Sequence, residues 1–200
     1  MGPPEKTNAE KMSGPGELLE QLRLLYGYVR DEYRQRFHRS VPFADQIVDR
    51  WERATFLGFG PGASIYDSAL VLGDVHVGNN TWVGPGCILD GSGGLTIGNY
   101  CSIAAGCHLY SHDSVEWALS GGKAPYVPNQ TIINDCCYLG PHAVVTAGVK
   151  IGKHCLIGAL TLVKADVPDF SIAAGIPARI IGHVELTEEH RVRLIYQSAA

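Results

Sequence analysis

Ile151-Gly152-Lys153-His154-Cys155-Leu156, followed by Ile157-Gly158-Ala159, sets an aliphatic residue and a glycine at the head of a unit that restarts after six positions. The same spacing runs through Ile65, Val71, Val77, Val83 and Leu89, then Ile97, Ile103 and Leu109, then Ile133, Leu139, Val145, Ile151, Ile157 and Val163. A period of six matches neither a helix at about 3.6 residues nor an alternating strand at about 2, so each unit is read as a short strand plus a corner. One such unit cannot bury an apolar face, so the units must stack.

A second fixed slot lies four residues after the aliphatic one: Ala69, Val75, Thr81, Cys87, Cys101, Cys107, Cys137, Ala143, Val149, Cys155 and Thr161. Small or β-branched side chains suit a tight interior corner, where a large one would overpack the stack. All of the six cysteines except Cys136 fall in this slot, and a free cysteine behaves as a small buried hydrophobe. With the adjacent Cys136-Cys137 in place of any CxxC pair, neither zinc nor a disulfide framework is expected. Free thiols point to a reducing compartment, the cytoplasm.

At 200 residues, 46% hydrophobic and with a formal net charge of -4, the chain reads as one soluble domain with extensions. Its scattered cations argue against a nucleic-acid partner, and no apolar run approaches the roughly 20 residues of a membrane span. Residues 1–16, rich in Pro, Gly and charge, are expected to be mobile. Residues 17–64 are expected to cap the stack. Leu18, Leu22, Leu25, Tyr26 and Val29, with Glu17 and Glu20 in the first turn, predict a helix over 17–38, and 39–64 reads as irregular. Gly58-Phe59-Gly60-Pro61-Gly62 lacks the helical pattern that must follow a phosphate loop. The repeat fills 65–182, with a loop at 115–131, and Thr187 before Glu188 and Glu189 predicts a short helix within 183–200.

Val77-Gly78-Asn79-Asn80-Thr81-Trp82, Ile97-Gly98-Asn99-Tyr100-Cys101-Ser102 and Ile151-Gly152-Lys153-His154-Cys155-Leu156 resemble the hexapeptide repeats of left-handed β-helix acyltransferases. The likeness covers about half of the chain as repeat. Asp166-Val167-Pro168 and Ala173-Ala174-Gly175-Ile176-Pro177-Ala178-Arg179 are similar to that family's acyl-CoA-binding tail. The resemblance implies a mainly β fold, a left-handed parallel β-helix with three hexads per coil, assembled as a homotrimer with active sites between subunits. It implies acetyl-CoA as co-substrate and a sugar-like acceptor, with no metal. Ala159, Ala174, Gly175 and Pro177 would run along the pantetheine arm, and Lys153, Lys164 and Arg179 would meet its phosphates. Leu160 stands where the family commonly has Gly or Asn, in a corner that favours positive φ.

The register fails between Leu109 and Ile133, and a stack tolerates a long interruption only as a loop leaving a corner. At its root, Tyr110-Ser111-His112-Asp113-Ser114 resembles the catalytic-histidine segment of the family's sugar and antibiotic acetyltransferases, with His112 the matching residue. A hydroxyl attacking a thioester must lose its proton, and a neutral imidazole takes it near pH 7. The imidazole's second nitrogen needs holding, and Asp113 or Glu116 is the nearby candidate. Trp117, Lys123 and Tyr126 offer a sugar-binding surface, while His142, at the same hexad position as His112 and His154, could line the groove or face a neighbouring subunit. His76 and His108 read as surface residues. The expected reaction is O-acetylation of a sugar-like hydroxyl. N-acetylation of a nucleotide-linked amino sugar is the alternative, ahead of a zinc hydratase using His108, His112 and His142, or a scaffold without chemistry.

Overall fold

The aliphatic column becomes the axis of a parallel β-helix. The computed structural model describes residues 14–189 and 191–197, divided into two units between Ile47 and Val48. Residues 1–13 of the segment expected to be mobile lie outside the described residues, while Pro15 and Gly16 open helix α1 (Pro15–Phe37). The proline suits the first turn, where its missing N–H would have no partner, and the helix ends at His38 in the left-handed conformation. A short helix α2 (Phe43–Ile47) follows, with the Tyr26 and Phe43 rings edge to face at 5.3 Å.

The second unit opens on helix α3 (Arg50–Phe56), in a region expected to be irregular. Asp49 caps it by accepting from the amides of Trp51 and Glu52, each at 2.9 Å. Asp49-x-x-Glu52 is a readable start signal for a helix. Ala54, Leu57 and Phe59 join the same apolar core as Ile65 and Ala69, so α3 closes this end of the stack. Arg53 fastens it, giving hydrogen bonds to the carbonyls of Tyr66 and Ala69 and pairing with Asp67 at 3.3 Å.

Three faces then repeat. The first stacks Ser64–Ile65, Trp82–Val83, Ser102–Ile103, Tyr138–Leu139, Leu156–Ile157 and Ser171–Ala174, all parallel. The second stacks 70–71, 88–89, His108–Leu109, Val144–Val145 and Leu162–Val163. The third stacks 75–77, 95–97, Thr131–Ile133 and Lys150–Ile151, ending on a bridge to Val167. From Leu89 through Val163 the column residues are essentially sealed from solvent, each Ile or Leu contributing about 1.5–3 kcal/mol by that burial.

The small slot lines the inside of the corners as expected. Cys87 and Cys107 give their S–H to the carbonyls of Ala104 and Gly140 in the next coil, both at 3.1 Å. Cys101, Cys137 and Cys155 bond the carbonyls of Asn134, Gly152 and Pro168 at 3.2, 3.0 and 3.0 Å. These five are free and buried. One residue earlier in the hexad, the corner commonly turns through positive φ: Asn80, Tyr100, Cys136, His142, His154, Leu160 and Phe170 all lie between 54° and 61°.

The C-terminal helix expected in 183–200 is instead a β-hairpin, Arg179–Leu186 and Val192–Tyr196. The strand Ser171–Ala174 ends the first face with an unpaired row of backbone groups, and Arg179–Leu186 pairs with it antiparallel. Val192–Tyr196, from the segment expected to be helical, pairs in turn with the outer edge of Arg179–Leu186, and these pairings outweigh a short isolated helix, which is marginal by itself. Thr187 bonds across the turn, its amide donating to the Arg191 carbonyl at 2.9 Å and its hydroxyl accepting from the Arg191 amide at 3.2 Å. Residues 198–200 lie outside the described residues.

Candidate active site

The six-residue period is broken at one edge of the prism only, where the chain passes from the second face to the third. Leu89 to Ile97 is two residues too long, Leu109 to Ile133 carries the loop, and Val163 to Val167 is two residues short. At the other two edges each step is six residues. The upper strands Leu70–Val77 and Ile88–Ile97 run through this edge unbroken, joining the second and third faces into a single sheet.

His112 stands on this edge and, unlike His142 and His154, has left the left-handed corner conformation: with Asp113 it forms a short strand paired to Val127–Pro128. His142 follows Leu139 on the edge between first and second faces, and His154 follows Ile151 on the edge between third and first. The shared hexad position therefore puts these three histidines on three separate edges. Among the described residues, no group of three or more His, Cys, Asp or Glu side chains is placed to hold a metal ion.

The carboxylate beside His112 is Asp90, from the coil before. Its Oδ2 lies 2.6 Å from His112 Nδ1, with the Asp90 side chain 2% exposed and that of His112 33% exposed. Nδ1 is buried and the carboxylate stands off the N–H axis, so the pair is a close polar contact rather than a linear hydrogen bond. The exposed part of the His112 side chain therefore lies away from Nδ1. The Tyr126 ring meets His112 edge to face at 6.2 Å.

Asp113 and Glu116 were the candidates to hold the imidazole, and Asp113 is engaged locally instead. Asp113 Oδ1 accepts from the Val115 amide at 2.6 Å, at the head of helix α4 (Val115–Leu119). This local bond is a habit of aspartate at turns. Both carboxylates line a cavity of about 300 Å³ with Val127, Asn129, Thr146, Ala147 and Lys164. Trp117 is half exposed on α4, and the Lys123 amide is held by Ser120 Oγ at 3.1 Å; neither lines that cavity.

Lys164 also borders a second cavity, of about 240 Å³, with Ala165, Pro177, Ala178 and Arg179. The two share Lys164 at the second-to-third edge, and the second gathers Lys164, Pro177 and Arg179 from the expected donor-binding set. Lys153 is elsewhere, on the third-to-first edge, 3.7 Å from Asp135. Asp135 accepts from the Asn99 amide at 2.8 Å, and that bond holds its carboxyl below the usual range. Ala159 and Ala174 pack beneath Gly140 and Gly158, where a Cβ would come within 2.5 Å of the Ala159 amide and 3.0 Å of the Ala174 side chain. Gly175 accepts from the Leu162 amide at 3.0 Å. These residues serve the stacking of coils. Sequence reasoning passed over Asp90, Asn129, Thr146 and Ala147; the overlong step at Asp90-Gly91-Ser92-Gly93-Gly94 was the available signal.

Residues 130–165 match the family model described as bacterial transferase hexapeptide (six repeats). With the stacked coils, this makes the chain similar to left-handed β-helix proteins that carry hexapeptide repeats. Galactoside O-acetyltransferase of Escherichia coli (strain K12) is 30% identical over 118 residues, 58% of this chain and 58% of that protein. Gamma carbonic anhydrase 1, mitochondrial, of Arabidopsis thaliana is 30% identical over 154 residues, 68% of this chain and 53% of that protein. Among solved structures, AntD, an N-acyltransferase from Bacillus cereus in complex with dTDP and 3-hydroxybutyryl-CoA, superposes with a TM-score of 0.56 at 20% identity, over 68% of this chain and 90% of that one. That likeness is one of fold.

Proposed function

We propose that the chain moves an acetyl group from acetyl-CoA to a hydroxyl of a sugar or sugar-like acceptor, with His112 as general base. The observation that carries this reading is the buried Asp90 carboxylate 2.6 Å from His112 Nδ1. A proton kept on Nδ1 leaves Nε2 as the free base. A small ring rotation aligns the pair, as catalytic hydrogen bonds commonly tighten only when substrate binds. Nε2 takes the hydroxyl proton as the oxygen bonds to the thioester carbonyl carbon. The imidazolium, steadied by Asp90, returns that proton to the leaving sulfur as the C–S bond breaks.

The pair of cavities sharing Lys164 suits the donor. Ala147, Ala165 and Ala178 leave room for an extended arm against backbone, and Lys164 and Arg179 are cations for its phosphates. A homotrimer fits the second face, whose outward column of Leu70, Ile88, His108, Val144 and Leu162 is apolar except at His108, and light scattering checks it. Free buried thiols suit a reducing cytoplasm.

Release of CoA thiol from acetyl-CoA, assayed against a panel of sugars, nucleotide sugars and hydroxylated antibiotics, tests the reading; turnover with no hydroxyl acceptor, or full turnover by His112→Ala, would sink it. N-acetylation of an amino sugar is the second reading, favoured by Asp113 and Glu116 in the cavity, which can hold an ammonium. An amine arriving unprotonated needs the base less, so retained activity in His112→Ala together with an N-acetyl product would select it. Stoichiometric zinc in the purified protein would favour a hydratase instead.

A further inference from the structure

We infer that Ser111 is a positioning residue that sets Asp90 against His112, and that the two extra residues between Leu89 and Ile97 exist to make this arrangement. This inference rests on the reading of His112 as the base. Ser111 is completely buried. Its hydroxyl donates to the Asp90 carbonyl at 2.6 Å and accepts from the Gly93 amide at 2.8 Å. The hydroxyl thus closes the Asp90–Gly93 excursion onto the residue immediately before His112. A chain of two such bonds polarises itself in the low-dielectric interior and resists distortion.

The rest of the excursion leaves the carboxylate one free direction. Asp90 Oδ1 accepts from the Ser92 amide at 2.8 Å, which turns Oδ2 toward Nδ1. Gly93 is required by contact: a Cβ there would stand 1.9 Å from the Ser111 carbonyl oxygen and 2.6 Å from the Asn129 amide. Asn129 donates to that same Ser111 carbonyl at 2.8 Å, so one buried residue ties the excursion, the base and the return of the loop. Ser111 touches neither the cavity nor the exposed end of the imidazole. It acts through Asp90.

A hydroxyl that only filled space could be removed without changing which nitrogen of His112 carries the proton. Ring 15N shifts of labelled histidine, recorded at high pH where imidazole is neutral and assigned with His112→Gln, read this directly. Wild-type His112 is expected to show one tautomer, with the proton on Nδ1, and Ser111→Ala a mixture of both. Ser111→Ala should also lower kcat about tenfold with KM unchanged, and Ser111→Thr should restore both. Should Ser111→Ala fail to fold, the near-isosteric Ser111→Cys, a weaker donor, is expected to give an intermediate tautomer mixture. A wild-type tautomer pattern in folded Ser111→Ala or Ser111→Cys overturns the inference. A single tautomer in a wild-type protein that transfers no acetyl group would instead leave the positioning intact and remove the proposed reaction.

Discussion

Asp90 and His112 come from neighbouring coils and meet because both leave the same edge of the prism: the strand through Leu89 lies beside the strand through Leu109 in register, and each chain departs from the hexad just after that pairing. The 2.6 Å approach is thus a product of coil stacking, with the buried carboxylate set against the buried Nδ1 side of the ring.

Removing the partner should separate chemistry from binding. Asp90→Asn is expected to lower kcat by about 10- to 100-fold and His112→Ala by about 10²- to 10⁴-fold, each with little change in KM for acetyl-CoA. Steady-state kinetics on the acceptor identified by screening provide the comparison. Equal rates for Asp90→Asn and wild type would deny the carboxylate its role.

Asp113→Ala should behave differently. Its loss frees the Val115 amide at the start of α4, a cost of about 1 kcal/mol or less at an exposed position, and leaves the dyad standing. For O-acetylation, turnover within about threefold of wild type is expected, because the Asp90–His112 contact is untouched. A fall as deep as that of Asp90→Asn would return Asp113 to the candidate orienting role.

The Asp135 carboxyl, depressed first by the Asn99 amide, carries a pH signature. A depressed folded-state value means that its contribution is complete above the ordinary aspartate range, at about pH 4, and is lost as pH falls through the depressed value. Asp135→Asn keeps an oxygen for the Asn99 amide but cannot titrate. Chemical denaturation at neutral and acidic pH should show a smaller acid-side loss in the variant; an identical loss would place the acid sensitivity elsewhere.

Leu160 sits 63% exposed at φ 56°. A side chain there costs about 1 kcal/mol in backbone strain and recovers little by burial. Leu160→Gly is therefore expected to raise Tm by about 2–4 °C. An unchanged or lowered Tm would mean that the leucine is covered in the assembled protein.

Native thiols should be unequal. Cys87, Cys101, Cys107, Cys137 and Cys155 are sealed in the corners, and the thiols of Cys101 and Cys155, then burial, hold that of Cys137 well above the ordinary thiol range. Cys136 is partly open but also raised by burial. Titration with a thiol reagent should find Cys136 reacting slowly, faster as pH rises, and the others only on unfolding. Rapid reaction of more than one thiol would contradict the packing.

The repeat was legible because burial on a stacked axis admits only aliphatic residues at one slot and small ones at another, and Ile65 to Val163 obey this in plain sight. His112 was legible because the period stops there. Asp90 was not: Asp-Gly-Ser-Gly-Gly looks like an ordinary turn, and its meaning depends on which coil lies beneath it. Hexad position likewise equated His112 with His142 and His154, since one unit of the repeat carries no record of which edge it turns. At the C-terminus, Thr187-Glu188-Glu189 is genuine capping chemistry, but the open edge of Arg179–Leu186 recruited Val192–Tyr196, beyond it, as a strand.

Every departure from the six-residue step hangs on a single edge, so the peptide there can lengthen, shorten or be exchanged while the other two edges keep their stacking. On the proposed reaction, acceptor preference would be an attribute of a removable appendage and donor use an attribute of the coil beneath it. Transplanting residues 110–130 between such prisms should carry the acceptor's identity with them and leave the thioester's unchanged.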